Sequence, residues 1–185
     1  MEWRNGIVVY KKQLNEAQKI ILYFVIYSFL GWILETIFAI FVLGRFVKRG
    51  FLYGPVCPIY GFGAALIILT LKKFKGKKAK EFFISMIVFS VFEYLVSWLF
   101  EMIFHLRWWD YSNDIGNING RISIAYSLAW GAIGLIFNEK IHPFIEAKLD
   151  KAKSKISYEL QKIIVIILPI AIITDFILSS IKYLT

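Results

Sequence analysis

The sequence predicts an all-α fold, a polytopic helical membrane protein with about five transmembrane helices. The 185-residue chain is 58% apolar, whereas soluble domains run nearer about 45–50%. Its mean hydropathy is +0.63. The apolar excess is arranged in blocks rather than spread along the chain.

The blocks follow in order. Residues 1–18 form a polar tail carrying Arg4, Lys11, Lys12 and Glu16. Between Lys19 and Arg45 lie 25 residues with Glu35 as their single charge. At about 1.5 Å per residue they reach roughly 37 Å, enough for a hydrocarbon core about 30 Å thick. This block is too long for a secretory signal and lacks a small-residue cleavage site, so it reads as a retained first helix. Further blocks cover 55–71, 82–104, 122–137 and 163–181, the second and fourth of the five being short. The expectation is one membrane domain over 1–185. It has a tail at 1–18, a four-helix core at 19–145, an amphipathic surface segment at 146–162 and a fifth transmembrane helix at 163–181. Cys57 is the single cysteine, which excludes a disulfide within the chain.

The net charge of +9 points to topology rather than to nucleic acid. Alternating sides through five crossings puts sixteen Lys and Arg residues on the side of the N-terminal tail and six on the other. The positive-inside rule then makes the N-terminus cytoplasmic and the C-terminus outside, in the cell (inner or plasma) membrane. The lysine run 72–78 reads as a topology anchor, with anionic lipid recognition as the alternative. In 146–162, Ile145, Leu149, Ala152, Ile156 and Leu160 recur at helical spacing opposite lysines. That suits a helix lying on the inner leaflet, or a docking surface for a cytoplasmic partner.

Two segments match at an offset of 66: Gly31-Trp32-Ile33-Leu34-Glu35-Thr36-Ile37-Phe38 and Ser97-Trp98-Leu99-Phe100-Glu101-Met102-Ile103-Phe104. They suggest a parallel repeat of helices 1–2 and 3–4, against a background of chance similarity in an apolar alphabet. The second and fourth blocks would then correspond. Both are glycine-interrupted, and the second opens Gly54-Pro55-Val56-Cys57-Pro58, where prolines disfavour regular helix. Broken segments at matching positions point either to a binding site or to close packing through small residues.

Charges within apolar helices are costly and need a reason. Glu35, Glu93, Glu101 and Asp175 are the candidates. On the third helix Ser90, Glu93, Ser97, Glu101 and His105 fall within an arc of roughly 120° at 100° per residue. All four acids lie toward the central or outer part of the membrane, and they are expected to share one cavity. The outer loops add Arg49, Arg107, Asp110 and Arg121. The arginines can pair the acids or grip an anionic group bidentately. Trp98, Trp108, Trp109, Tyr53 and Tyr111 suit the water–lipid interface.

Enzyme chemistry has little support, and no cofactor is expected. No GxxxxGK[ST] sequence occurs, so no P-loop nucleotide site is present. Ser97, His105 and Glu101 lie on one face of one helix, which is not triad geometry. Glu101 and His105 have the i, i+4 spacing of metal ligands. His142, the other histidine, lies on the opposite side, so no metal is expected and the pair is only a weak candidate.

A resemblance rests on Phe29-Leu30-Gly31-Trp32 with Glu35; Arg49-Gly50-Phe51 through Gly54-Pro55; and Cys57-Pro58-Ile59-Tyr60-Gly61-Phe62-Gly63. It continues in Glu93-Tyr94 with Ser97-Trp98 and Glu101; Trp108-Trp109-Asp110-Tyr111-Ser112; Asn119-Gly120-Arg121-Ile122; and Ile141-His142-Pro143. Over residues 23–145 the chain resembles a bacterial family of ABC-transporter permeases, CmpB-like, sometimes called type IV. Leu34 stands where the family often has a second Trp, and Ser123 where it often has Cys. The resemblance implies a multi-pass transporter component, with membrane lipids, a separate ATPase or further copies of the chain as partners, and no nucleic acid. The expected function is a permease-like protein with a polar cavity open to the outer side. In it Glu35, Glu93 and Glu101 organise the substrate or ion site, and Arg49 and Arg121 neutralise them or hold an anion. Ser97, Trp98, Asp110 and Asp175 complete the candidate set. The alternatives are an intramembrane enzyme acting on a lipid headgroup and a non-catalytic assembly partner whose charges pair for structure.

Overall fold

The computed structural model describes residues 13–184, together with the backbone of 2–4 and 7–9. Residues 1, 5, 6 and 10–12, which belong to the expected cytoplasmic tail, and Thr185 lie outside the described residues. Two short strands, β1 (Glu2–Arg4) and β2 (Ile7–Val9), pair antiparallel. The rest is helical: α1 (Glu16–Leu43), α2 (Pro58–Leu71), α3 (Lys78–Phe104), α4 (Ile124–Ile136), α5 (His142–Lys153) and α6 (Tyr158–Leu184).

α1 starts where Asn15 and Gln18 form a reciprocal capping box at 2.8 and 3.0 Å, satisfying two of the amides a helix leaves open. It stops at Gly44, whose positive φ allows the reversal that a side chain resists. α3 ends at His105 in the same left-handed region, its amide bonding back to Glu101. Three helices, α1, α3 and α6, are long and apolar enough to cross a membrane. α2 and α4, with 14 and 13 residues, extend only about 20 Å at 1.5 Å per residue.

Both short helices run antiparallel to the helix before them. α2 lies along the first half of α1, from Tyr60 against Gly31 to an ion pair between Lys72 and Glu16 at 3.1 Å. Its closest approach is at Gly61, which seats on Ser28 and the carbonyl of Phe24. α4 lies along α3, where Ser90 bonds Ser127 at 2.7 Å and Gly134 seats on Ser85. A side chain at either glycine would hold the backbones apart.

These contacts give the bundle two ends. Lys19, Lys72, Lys78 and Lys162 mark one, where α1, α3 and α6 begin. Gly44, His105 and Lys182 mark the other. Three apolar clusters fill the interior: Tyr23, Tyr27, Ala64 and Ile68; Ile67, Leu71 and Phe89; and Phe51, Leu52 and Phe104.

The segment expected to lie on the membrane surface, 146–162, divides. α4 runs through a π-helical turn (Phe137–Ile141) into α5, which ends at Lys153, and α6 starts at Tyr158. Ile145 and Leu149 pack on the Tyr23–Tyr27 cluster of α1. The apolar stripe is the same one, but helix α1 covers part of it.

Candidate functional site

The end of the bundle away from the lysines carries a polar layer. Counting about 1.5 Å per residue from Lys19, Lys78 and Lys162, Glu35, Glu93 and Asp175 stand roughly 20–24 Å above the lysine-rich end. Each is on a different spanning helix, and each holds a piece of chain that is not part of that helix.

Glu35 on α1 accepts the Tyr60 hydroxyl of α2 at 2.5 Å and bonds Arg49 of the first loop at 3.2 Å. Asp175 on α6 accepts the backbone amides of Tyr53 and Gly54 at 2.8 and 2.7 Å, and Ser179 donates to it at 3.0 Å. The amide of Cys57 bonds the carbonyl of Ser28. Residues 51–57 are therefore non-helical backbone with part of their amides satisfied by helix groups.

Glu93 on α3 does the same for the second half of the chain. Tyr111 of the long loop donates to it at 3.1 Å and Trp130 of α4 at 2.9 Å. One helical turn above are Ser97 and Arg121, bonded at 3.1 Å, and Glu101 lies 2.6 Å from Arg121. The Glu101–Arg121 contact is coulombic rather than an aligned hydrogen bond, since Glu101 Oε2 accepts none and Arg121 Nε donates none. Tyr111 stacks on Tyr126, and Trp109 donates to the carbonyl of Arg121 at 2.9 Å. Asp110 is outermost, with Arg107 at 3.3 Å and the Ser112 hydroxyl at 2.5 Å. The Ser112 hydroxyl and amide, with Arg107, hold the Asp110 carboxyl below the usual carboxylate range. Trp98 points outward, 44% exposed, as an interfacial aromatic does.

Each of the four acids thus has partners of its own. The two described cavities, of about 350 and 90 Å³, are lined by none of them. Glu101 turns to Arg121, while His105 occupies the left-handed cap of α3. Among the described residues no group of three or more His, Cys, Asp or Glu is placed to hold a metal ion. Sequence reasoning named the acids and both arginines as site candidates, gave Tyr111 to the water–lipid interface, had Tyr60 only within a motif, and did not name Trp130. Their signal is weak, since aromatic residues near a membrane boundary read first as lipid anchors.

A bundle with three helices long and apolar enough to cross a membrane, and with loops anchored on helix acids at one end, is a multi-pass membrane protein. The chain belongs to the family described as "Putative ABC-transporter type IV", which matches residues 22–180. The match takes in most of α6, beyond the 23–145 over which the motifs lie. The family description is that of a transporter and not of an enzyme. No curated protein and no solved structure matches the chain.

Proposed function

We propose that the protein is a permease-like membrane component of an ABC-type transporter, with the polar layer as its outward gate and binding site. The observation that carries this reading is the pair of partly exposed ion pairs in that layer. In Arg49–Glu35 the side chains are 38% and 30% exposed, and in Arg121–Glu101 they are 13% and 40% exposed. Such pairs sit where water reaches them, so a charged solute can exchange for one partner. Arg49 and Arg121 would take an anionic group, and Glu35, Glu93 and Glu101 would take a cationic one.

In this reading the lysine-rich end is cytoplasmic, following the charge bias of the loops. α2 and α4 complete two further crossings with residues 51–57 and the folded loop 107–123. α1–α2 and α3–α4 act as repeated units, each with a Trp-x-x-Glu acid paired to the arginine of the following loop. The chain holds no nucleotide motif, so a separate ATPase, joined by one or more copies of this chain, supplies the energy.

The test is ligand-induced thermal stabilisation of the purified protein against a panel of charged solutes, for wild type, Glu93→Gln and Glu101→Gln. A shift lost in variants that otherwise unfold normally supports the site. A shift that both variants retain removes these acids from it. A second reading, purely structural ion pairs, is favoured by the fact that Glu35, Glu93, Glu101 and Asp175 each already have a partner within the chain. It predicts that the swap Glu35→Arg with Arg49→Glu restores full behaviour.

A further inference from the structure

The lysine-rich end holds a carboxylate that the polar layer does not use. Glu81, in the first turn of α3, is 0% exposed, and neither of its oxygens has a hydrogen-bond partner. Ser85, one turn further along the same face, is 1% exposed with an unpartnered hydroxyl. Asn138, in the π-helical turn, is 5% exposed with an unpartnered side-chain nitrogen. Helix register brings the three together. Gly134 seats on Ser85, and four residues along each antiparallel helix sets Asn138 against Glu81. Glu139 closes the exposed side. It accepts the Gly76 amide at 2.8 Å, and its carboxylate comes within bonding reach of Glu81. Leu71 and Ile67 of α2, both buried, wall off the core in this region.

A desolvated carboxylate without donors is strongly unfavourable, and a second carboxylate beside it adds repulsion. Lys75 and Lys78 act on Glu139, but among the described residues no ion pair reaches Glu81. The facing Glu81 and Glu139 carboxylates therefore call for one positive species between them, a metal cation or a shared proton. The groups around it are two carboxylates, a hydroxyl and a side-chain amide, whose oxygen can be turned inward by a flip. These are hard oxygen ligands, suited to an alkali or alkaline-earth cation rather than a soft metal. A π turn inserted in a helix recurs at functional sites, because it re-aims the side chains it carries.

We propose that Glu81, Ser85, Asn138 and Glu139 form a binding site for a monovalent alkali cation, with sodium as the probe. The site stands independently of the permease reading, since none of its residues belongs to the polar layer.

Purified protein in detergent is unfolded thermally in NaCl, KCl or choline chloride at equal ionic strength, across pH 6–9, with labelling of the Cys57 thiol as readout. Wild type is expected to be stabilised saturably by sodium over choline. Ser85→Ala is expected to raise the half-saturating sodium concentration about tenfold, and Glu81→Gln to abolish the sodium dependence. Equal midpoints in all three salts overturn the proposal. So does a midpoint that follows pH but not sodium, which would assign the site to a proton, or saturable stabilisation by micromolar calcium, which would make it divalent. Where Glu81→Gln does not accumulate, binding of radioactive sodium to wild type and Ser85→Ala decides: equal binding overturns the assignment, and weaker binding in the variant supports it.

Discussion

Asp175 Oδ1 accepts the amide of Tyr53 at 2.8 Å, so a helix side chain supplies the pairing that an extended segment lacks. The neighbouring amide of Gly54 goes to the other oxygen at 2.7 Å. Hydrogen bonds to a charged group contribute about 1.5–3 kcal/mol each. Asp175→Ala should therefore destabilise the protein by about 2–4 kcal/mol, and Asp175→Asn, which keeps one acceptor, by less. The buried Cys57 thiol, at the end of the same segment, gives the readout. Its labelling under native conditions should speed up in the order wild type, Asn, Ala. Equal labelling rates would dismiss the anchoring role.

The contact of Arg121 with Glu101 belongs to a partly exposed pair, so its net contribution is modest. Glu101→Gln should cost about 1 kcal/mol in thermal unfolding, with Arg121→Gln somewhat more because the bond to Ser97 goes too. The double swap Glu101→Arg with Arg121→Glu should recover part of the loss. A swap as unstable as the sum of its single variants would show that coulombic pairing is not what joins them.

Gly61 offers a steric test of the α1–α2 contact. A Cβ there would stand 2.5 Å from the Phe24 carbonyl oxygen and collide with the Ser28 hydroxyl. Gly61→Ala should lower stability by about 2–3 kcal/mol, visible as a lower unfolding temperature in detergent. Adding Ser28→Ala should return only a fraction, because the Phe24 carbonyl is backbone and cannot swing away. Full rescue would mean the hydroxyl alone sets the spacing.

His142 makes stability depend on pH. Its ring lies 3.0 Å from the Tyr27 hydroxyl and among Tyr23 and Phe137. Burial pushes the imidazole below its ordinary value, and Lys75 acts the same way, against an opposing pull from Glu146. Above the unfolded-chain value of about 6.5 both states are neutral. As pH falls through that value the unfolded chain binds the proton first, so stability drops until the folded ring also titrates. The unfolding temperature of wild type should fall as pH is lowered from 7 toward 5, and His142→Gln should flatten that slope. An unchanged slope would assign the acid sensitivity elsewhere.

Much of this architecture is legible in the residues, because block hydrophobicity and single intramembrane charges are one-dimensional signals. Glu35 and Arg49 can be anticipated as a pair, since each is costly alone at that depth. Asp175 cannot be matched in the same way, because its partners are backbone amides and carry no residue type. Glu81 is hidden by its neighbourhood: Lys77, Lys78 and Lys80 make the stretch look solvated, and only the packing of α4 against α3 buries it. The shortness of the second and fourth apolar blocks is legible too, and they form helices of 14 and 13 residues. Ile145 and Leu149 pack on the Tyr23–Tyr27 cluster, where periodicity shows an apolar face without saying whether lipid or helix covers it.

The π-helical turn explains how that face finds its cover. Ser127, Gly131, Gly134, His142, Ile145 and Leu149 lie on one stripe in the sequence, yet the first three meet α3 and the last three meet α1. The amide of His142 bonds the carbonyl of Phe137, five residues back, so the turn holds one residue more than an α-helical turn. That extra residue rotates everything after it by about 100° relative to everything before. A single rod thereby serves two neighbours, behaving as a key with its second set of teeth cut on a different edge. Deleting one residue within the turn would realign the teeth and leave one of the two locks unfilled.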